Sequence, residues 1–122
     1  MSNNDIKIYK ASAGAGKTFT LAHYYVDRLF EAFDSDKEAY RHILAVTFTN
    51  KATDEMKDRI LQLLYEYSQG RSEIKGEEVT EQIREKAKNV LLAILHDYSG
   101  FYVTTIDKFF QMVFKTFSRE LG

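Results

Sequence analysis

The sequence predicts an α/β domain of three short parallel strands with crossover helices, on three observations. Short apolar or β-branched runs at 6–10 (IKIYK), 43–48 (ILAVTF) and 101–105 (FYVTT) alternate with long stretches of helical period. The ILAV run is unbroken, as in a strand covered by helices on both faces. A loop of small residues, ASAGAGKT at 11–18, falls between the first run and the first helical stretch.

Each helix is marked by apolar residues three or four apart, which stack on one face. The first stretch carries Phe19, Ala22, Val26, Leu29 and Phe33, and the second Ala52, Met56, Ile60, Leu63 and Tyr67. A third carries Val79, Ile83, Ala87, Val90, Ile94 and Leu95. The last carries Ile106, Phe109, Phe110, Val113 and Phe117, and with Phe114 it loads apolar surface on more than one side, as if something should pack on it. No proline interrupts any of them. The polar stretch 68–78, with Gly70 and Gly76, predicts a mobile connection rather than a domain linker.

With 122 residues the chain has room for one domain, which buries roughly two-thirds of its unfolded surface. Seventeen Lys and Arg oppose eighteen Asp and Glu, a formal net charge of −1. Bulk positive charge therefore cannot grip nucleic acid, and any such contact must be local. The lack of cysteine excludes disulfides and thiolate metal sites. His23, His42 and His96 lack ligand spacing and read as structural or surface residues. The N-terminus lacks the basic start and apolar run of a signal peptide, and nothing approaches the ~20 apolar residues of a membrane span, so the expectation is a cytoplasmic protein without membrane contact.

The loop at 11–18 is the strongest chemical signal. A glycine-rich turn between strand and helix points successive backbone N–H groups inward, and the helix start adds its positive dipole end, which together stabilise a polyphosphate. Ala11, Ser12, Ala13, Gly14, Ala15 and Gly16 would form the cradle. Lys17 would reach the β- and γ-phosphates, and the Thr18 hydroxyl would bind Mg²⁺. Ala11 stands where the pattern G-x-x-x-x-G-K-[ST] has its first glycine. At the mouth of the loop a methyl group can be accommodated; Gly14 and Gly16 are where unusual φ or close ligand approach is expected.

A phosphate loop names no reaction by itself. The second strand ends in Thr47, Phe48, Thr49, Asn50 and Lys51 before a helix begins, gathering hydroxyls, an amide, a cation and a ring at the carboxyl end of a parallel strand. Hydroxyls and a helix N-terminus suit nucleic-acid phosphates, and Phe48 either stacks on a base or belongs to the core. Three readings stay open on the residues alone: an ATP-driven motor, a small free-standing phosphate-loop kinase or NTPase, and a non-enzymatic single-strand-binding module.

ASAGAGKTFTLA, ILAVTFTNKATDEMKDRI and VTTIDKFFQMVFKTF, in this order and over nearly the whole chain, resemble the start of superfamily 1 DNA helicases of the UvrD/Rep/RecB type, with the loop most similar to the RecB-like exonuclease V branch. The resemblance implies a RecA-like fold and an ATP-driven motor on single-stranded DNA, in repair or recombination. It also implies ATP and Mg²⁺ at Ala11 to Thr18, and partner subunits of a helicase–nuclease. Thr47 to Lys51 would lie along the DNA, with Phe48 against bases; Thr104, Thr105 and the helix from Asp107, including Lys108, would form a further part of the track. Family members usually have His where this chain has Asp107, and a carboxylate near phosphates is unfavourable. The adenine-reading glutamine of many members has no counterpart among the ten residues before Ala11.

Hydrolysis also needs an acidic pair on Mg²⁺ and usually an arginine finger. The family's D-E-x-Q-D box is not in the sequence, and Asp54 and Glu55 fall in the first turns of a helix, where acids complement the dipole. The expectation is that residues 1–122 are the first part of an N-terminal ATP-binding domain, inactive alone. The missing strands would leave edges unpaired, which together with the phenylalanine-rich last helix predicts self-association.

Overall fold

Apolar side chains at helical spacing set three helices side by side in the computed structural model, which describes residues 15–121. The predicted strand at 6–10 and residues 11–14 of the loop lie outside the described residues. Helix α1, Ala15–Phe33, buries Ala22, Tyr25, Val26, Leu29 and Phe33. Helix α2, Asn50–Ser68, buries Ala52, Met56, Ile60, Leu63, Leu64 and Tyr67. Helix α3, Glu81–His96, buries Ala87, Val90 and Ile94. α2 packs on both of the others, so its apolar positions fill the centre of the core. Burying each large aliphatic there stabilises the fold by about 1.5–3 kcal/mol before conformational entropy is charged against it. Leu95, expected on the apolar face of the third helix, is more than half exposed, because the face set by Ala87, Val90 and Ile94 turns it outward.

Helices α2 and α3 start on threonine caps. The Thr49 hydroxyl accepts from the Ala52 N–H at 3.0 Å and that of Thr80 from the Ile83 N–H at 3.2 Å, each satisfying a donor that the first turn leaves free. In the predicted mobile connection at 68–78, several side chains bond back to α2 and to one another. Tyr67 donates to Glu77 at 2.6 Å and Ser72 also bonds Glu77, while Arg71 pairs with Glu66 at 2.7 Å and Arg59 with Glu73 at 3.4 Å. Gly70 and Gly76 turn the chain there with φ of 79° and 84°, a region other residues avoid.

Among the described residues there are two strands, β1 at Ala45–Thr47 and β2 at Val103–Thr105, paired in parallel with Ala45 opposite Val103 and Thr47 opposite Thr105. Both are shorter than the apolar runs predicted them to be. Before β1 the chain makes a 3₁₀ turn, Ala39–Arg41, and the buried Tyr25 hydroxyl donates to the carbonyls of Tyr40 and Ile43 at 3.5 and 3.4 Å. Before β2 a second 3₁₀ turn, Tyr98–Gly100, engages the Phe101 N–H with the Tyr98 carbonyl. Asp97 joins the two turns, accepting from Tyr40 at 2.8 Å and pairing with Arg41 at 3.2 Å. The strands thus enter the sheet in register.

Helix α4, Ile106–Leu121, follows β2 without a loop. None of its residues is buried, and it meets mainly the ends of β1 and β2.

Candidate functional site at the carboxyl edge of the strands

Parallel strands collect their carboxyl ends on one edge, and here the helices following both strands start from that edge. α2 begins at Asn50, three residues after β1, and α4 directly after β2. The N-termini of α2 and α4, each the positive end of a dipole, therefore start from one edge. Phe19 lies near Arg59 and Phe30 near Tyr67, so α1 and α2 run in the same sense.

Thr47 is 1% exposed. Its hydroxyl lies 2.5 Å from that of Thr53, 3.2 Å from the Thr49 carbonyl and 3.4 Å from the Thr104 carbonyl. Thr53 in turn donates to the Thr49 carbonyl at 3.1 Å. A hydroxyl has one proton and two acceptor sites, so this network fastens the end of β1 to the first turn of α2 and to β2. Thr105 is also buried, and its hydroxyl accepts from the Lys108 N–H at 3.3 Å, holding the first turn of α4. Among the expected contact residues, then, Thr47 and Thr105 turn their side chains into the protein; Thr104 is half-buried. Thr53 carries no signal of its own in the sequence beyond its spacing of four from the capping Thr49, which places it over the same turn.

Phe48 answers its alternative plainly: it is 53% exposed and is not a core residue. The Thr47 network on one side and the Thr49 cap on the other hold the backbone that presents its ring. Thr49, Asn50 and Lys51 are exposed beside it, and Lys108 is exposed at the start of α4. The structure thus brings Phe48 to Lys51 and Thr104 to Lys108 to one edge. Asp107 is exposed in the first turn of α4, close to that edge, while Asp54 and Glu55 lie exposed on the following turn of α2.

Of the expected phosphate cradle, Gly16, Lys17 and Thr18 lie in the first turn of α1, and Ala11 to Gly14 lie outside the described residues. Gly16 does not have a positive φ, so backbone conformation does not require it. Among the described residues, a methyl group there would meet nothing within 4 Å. Lys17 is exposed and Thr18 is buried against the fold. No cluster of three His, Asp or Glu side chains able to hold a metal occurs among the described residues.

His23, two turns into α1, is buried with both ring nitrogens lacking a hydrogen-bond partner, edge-on to Phe19 at 4.6 Å and to Tyr67 at 6.3 Å. It is a packing residue of the α1/α2 interface. No helix among the described residues is long and apolar enough to cross a membrane.

Two parallel strands connected and followed by helices, after a helix that starts at a phosphate-loop sequence, fit the class of phosphate-loop NTPase-like α/β domains, and the family match supports it. The family model for the UvrD/REP helicase N-terminal domain matches residues 2–122, and the chain belongs to that family. It is 30% identical over 99 residues to the RecBCD enzyme subunit RecB of Borreliella burgdorferi, covering 81% of this chain and 8% of that protein. It is 30% identical over 115 residues to an ATP-dependent helicase/nuclease subunit of Streptococcus suis, covering 94% of this chain and 8% of that protein. Over 59 residues it is 44% identical to the ATP-dependent DNA helicase PcrA of Staphylococcus epidermidis, covering 48% of this chain and 8% of that protein. The chain thus spans less than a tenth of the length of these relatives. No solved structure matches it.

Proposed function

We propose that residues 1–122 form the first part of an N-terminal RecA-like domain in an ATP-dependent single-stranded-DNA translocase or helicase acting in repair or recombination. The observation that carries this reading is Phe48, half-exposed at the carboxyl end of a strand, braced by hydroxyl bonds and flanked by a capped helix start, in a chain of helicase family. A ring so placed can stack on any base, while the α2 and α4 N-termini, with Lys51 and Lys108, suit the backbone phosphates. Thr47, Thr53 and Thr105 act as positioning residues, and Thr49 and Asn50 offer polar groups to the strand.

Ala11 to Thr18 would hold ATP with Mg²⁺, Lys17 against the β- and γ-phosphates and the Thr18 hydroxyl towards the cation. The nucleotide would supply the free energy of phosphoryl transfer. The residues in this chain bind and orient it, and nothing among them supplies the acidic pair that aligns water, so hydrolysis by this chain alone is expected to be negligible. Two relatives are named as subunits, one of a RecBCD enzyme and one of a helicase/nuclease, which supports a parent that works with partner subunits.

Two titrations test the reading. A fluorescent ATP analogue with Mg²⁺ should bind the chain and fail to bind Lys17→Ala; equal affinity would sink the phosphate assignment. A labelled dT oligonucleotide should bind weakly, with a salt slope growing by ~0.7 per phosphate contact. Phe48→Ala should weaken that binding by ~1–3 kcal/mol while leaving stability within ~0.5 kcal/mol. Undiminished DNA affinity would remove the ring from the site.

A further inference from the structure

Phe19 is the first large side chain after the small residues and Lys17-Thr18 that open α1, and it is half-buried. The first turn of a helix carries N–H groups without intrahelical partners and frays unless side chains fasten it. Two sets of contacts converge on the Phe19 ring, and both begin at carboxylates of the 68–78 connection. Glu73 pairs with Arg59 of α2 at 3.4 Å, and the Arg59 guanidinium carbon lies 5.6 Å from the centre of the Phe19 ring. Glu77, which Ser72 also bonds, accepts from Tyr67 at 2.6 Å. Tyr67 stands edge-on to His23 with 6.3 Å between ring centres, and His23 stands edge-on to Phe19 at 4.6 Å. Both nitrogens of the buried His23 lack a hydrogen-bond partner, so its neighbouring rings rather than polar bonds place the imidazole.

We propose that Glu73 and Glu77 are positioning residues for the nucleotide. Acting through Arg59, and through Tyr67 and His23, they fasten Phe19 and with it the first turn of α1 that carries Lys17 and Thr18. The inference rests on the phosphate assignment proposed above and adds to it a segment distant in sequence. A first turn that is already fastened needs less ordering when the nucleotide arrives, which is worth roughly two- to tenfold in affinity. Linkage makes the effect reciprocal: bound nucleotide strengthens the contacts of the 68–78 connection by the same factor.

The test titrates a fluorescent ATP analogue with Mg²⁺ into the parent, into Glu73→Ala with Glu77→Ala, and into Phe19→Leu with and without that pair. Glu73 and Glu77 are exposed, so the alanine pair should stay folded, which circular dichroism checks. It should bind the analogue roughly two- to tenfold more weakly than the parent. In the Phe19→Leu background the same pair should cause no further loss, because the shared ring is gone, whereas a general loosening of the fold would weaken binding equally in both backgrounds. A second measurement needs no substitution. Hydrogen exchange at residues 69–77 of the parent should slow on adding the analogue with Mg²⁺, and slow more than exchange in α3, which takes part in neither set of contacts. An alanine pair that binds as tightly as the parent overturns the proposal, as do equal losses with and without the Phe19 ring, or exchange at 69–77 indifferent to nucleotide. Lys17→Ala separates that failure from failure of the phosphate assignment. If the parent binds no analogue, or Lys17→Ala binds it equally well, both readings fall; if Lys17→Ala loses it and the alanine pair keeps it, only the positioning role is withdrawn.

Discussion

Thr47→Val separates a hydroxyl that braces the site from one that touches a ligand. Valine keeps the volume and β-branching that the strand favours and removes only the oxygen. That oxygen is enclosed and lies within bonding distance of the Thr53 hydroxyl and of the Thr49 and Thr104 carbonyls. Thr53 and the Thr49 carbonyl keep each other, so the net loss is about one hydrogen bond plus the partial desolvation of the Thr104 carbonyl, together about 1–2 kcal/mol. For a domain of this size that corresponds to a drop in melting temperature of roughly 3–10 °C. Urea unfolding followed by circular dichroism measures the first quantity, and titration with a dT oligonucleotide should show affinity within about threefold of the parent once both are folded. Unchanged stability together with a tenfold loss of DNA affinity would refute the reasoning, because the hydroxyl would then have to face the ligand.

Two further perturbations probe the frame around the site. A methyl group at Gly100 would lie 2.6 Å from Asp97 Oδ2 and 3.1 Å from Arg41 Nε, so Gly100→Ala should displace the carboxylate that joins the two 3₁₀ turns; a loss of about 1–2 kcal/mol is expected, measured by urea midpoint, and an unaltered midpoint would show the junction to be slack. Partial burial, then the carboxylates of Glu77 and Glu31, raise the Asp27 pKa, against the opposing pull of His23 and Arg28. A raised carboxyl favours folding when protonated, and that contribution is lost as pH rises through the folded pKa. Asp27→Asn should therefore be more stable than the parent at pH 7, with the difference closing as the pH falls towards the ordinary value of 3.8; a constant difference between pH 7 and 4 would exclude Asp27 as its source.

Much of this was legible in the residues because it is local. Apolar spacing marked α1, α2 and α4 and nearly all of the buried positions of the first two, since a side chain's place on a helix follows from its number alone. The small residues followed by Gly16-Lys17-Thr18 announced the start of α1, and the family motifs stood in order over nearly the whole chain. Tertiary structure decided what depends on neighbours distant in sequence. Whether Phe48 was core or surface could not be read from an apolar run, because the run does not record where the strand pairing ends. Thr47 and Thr105 looked like their exposed neighbours, yet the pairing of β1 with β2 enclosed both hydroxyls. The connection at 68–78 read as polar and bare of partners, and the fold brings Tyr67, Glu66 and Arg59 on α2 within bonding reach of it. Composition records what a segment can bond to; only the folded chain supplies the partner.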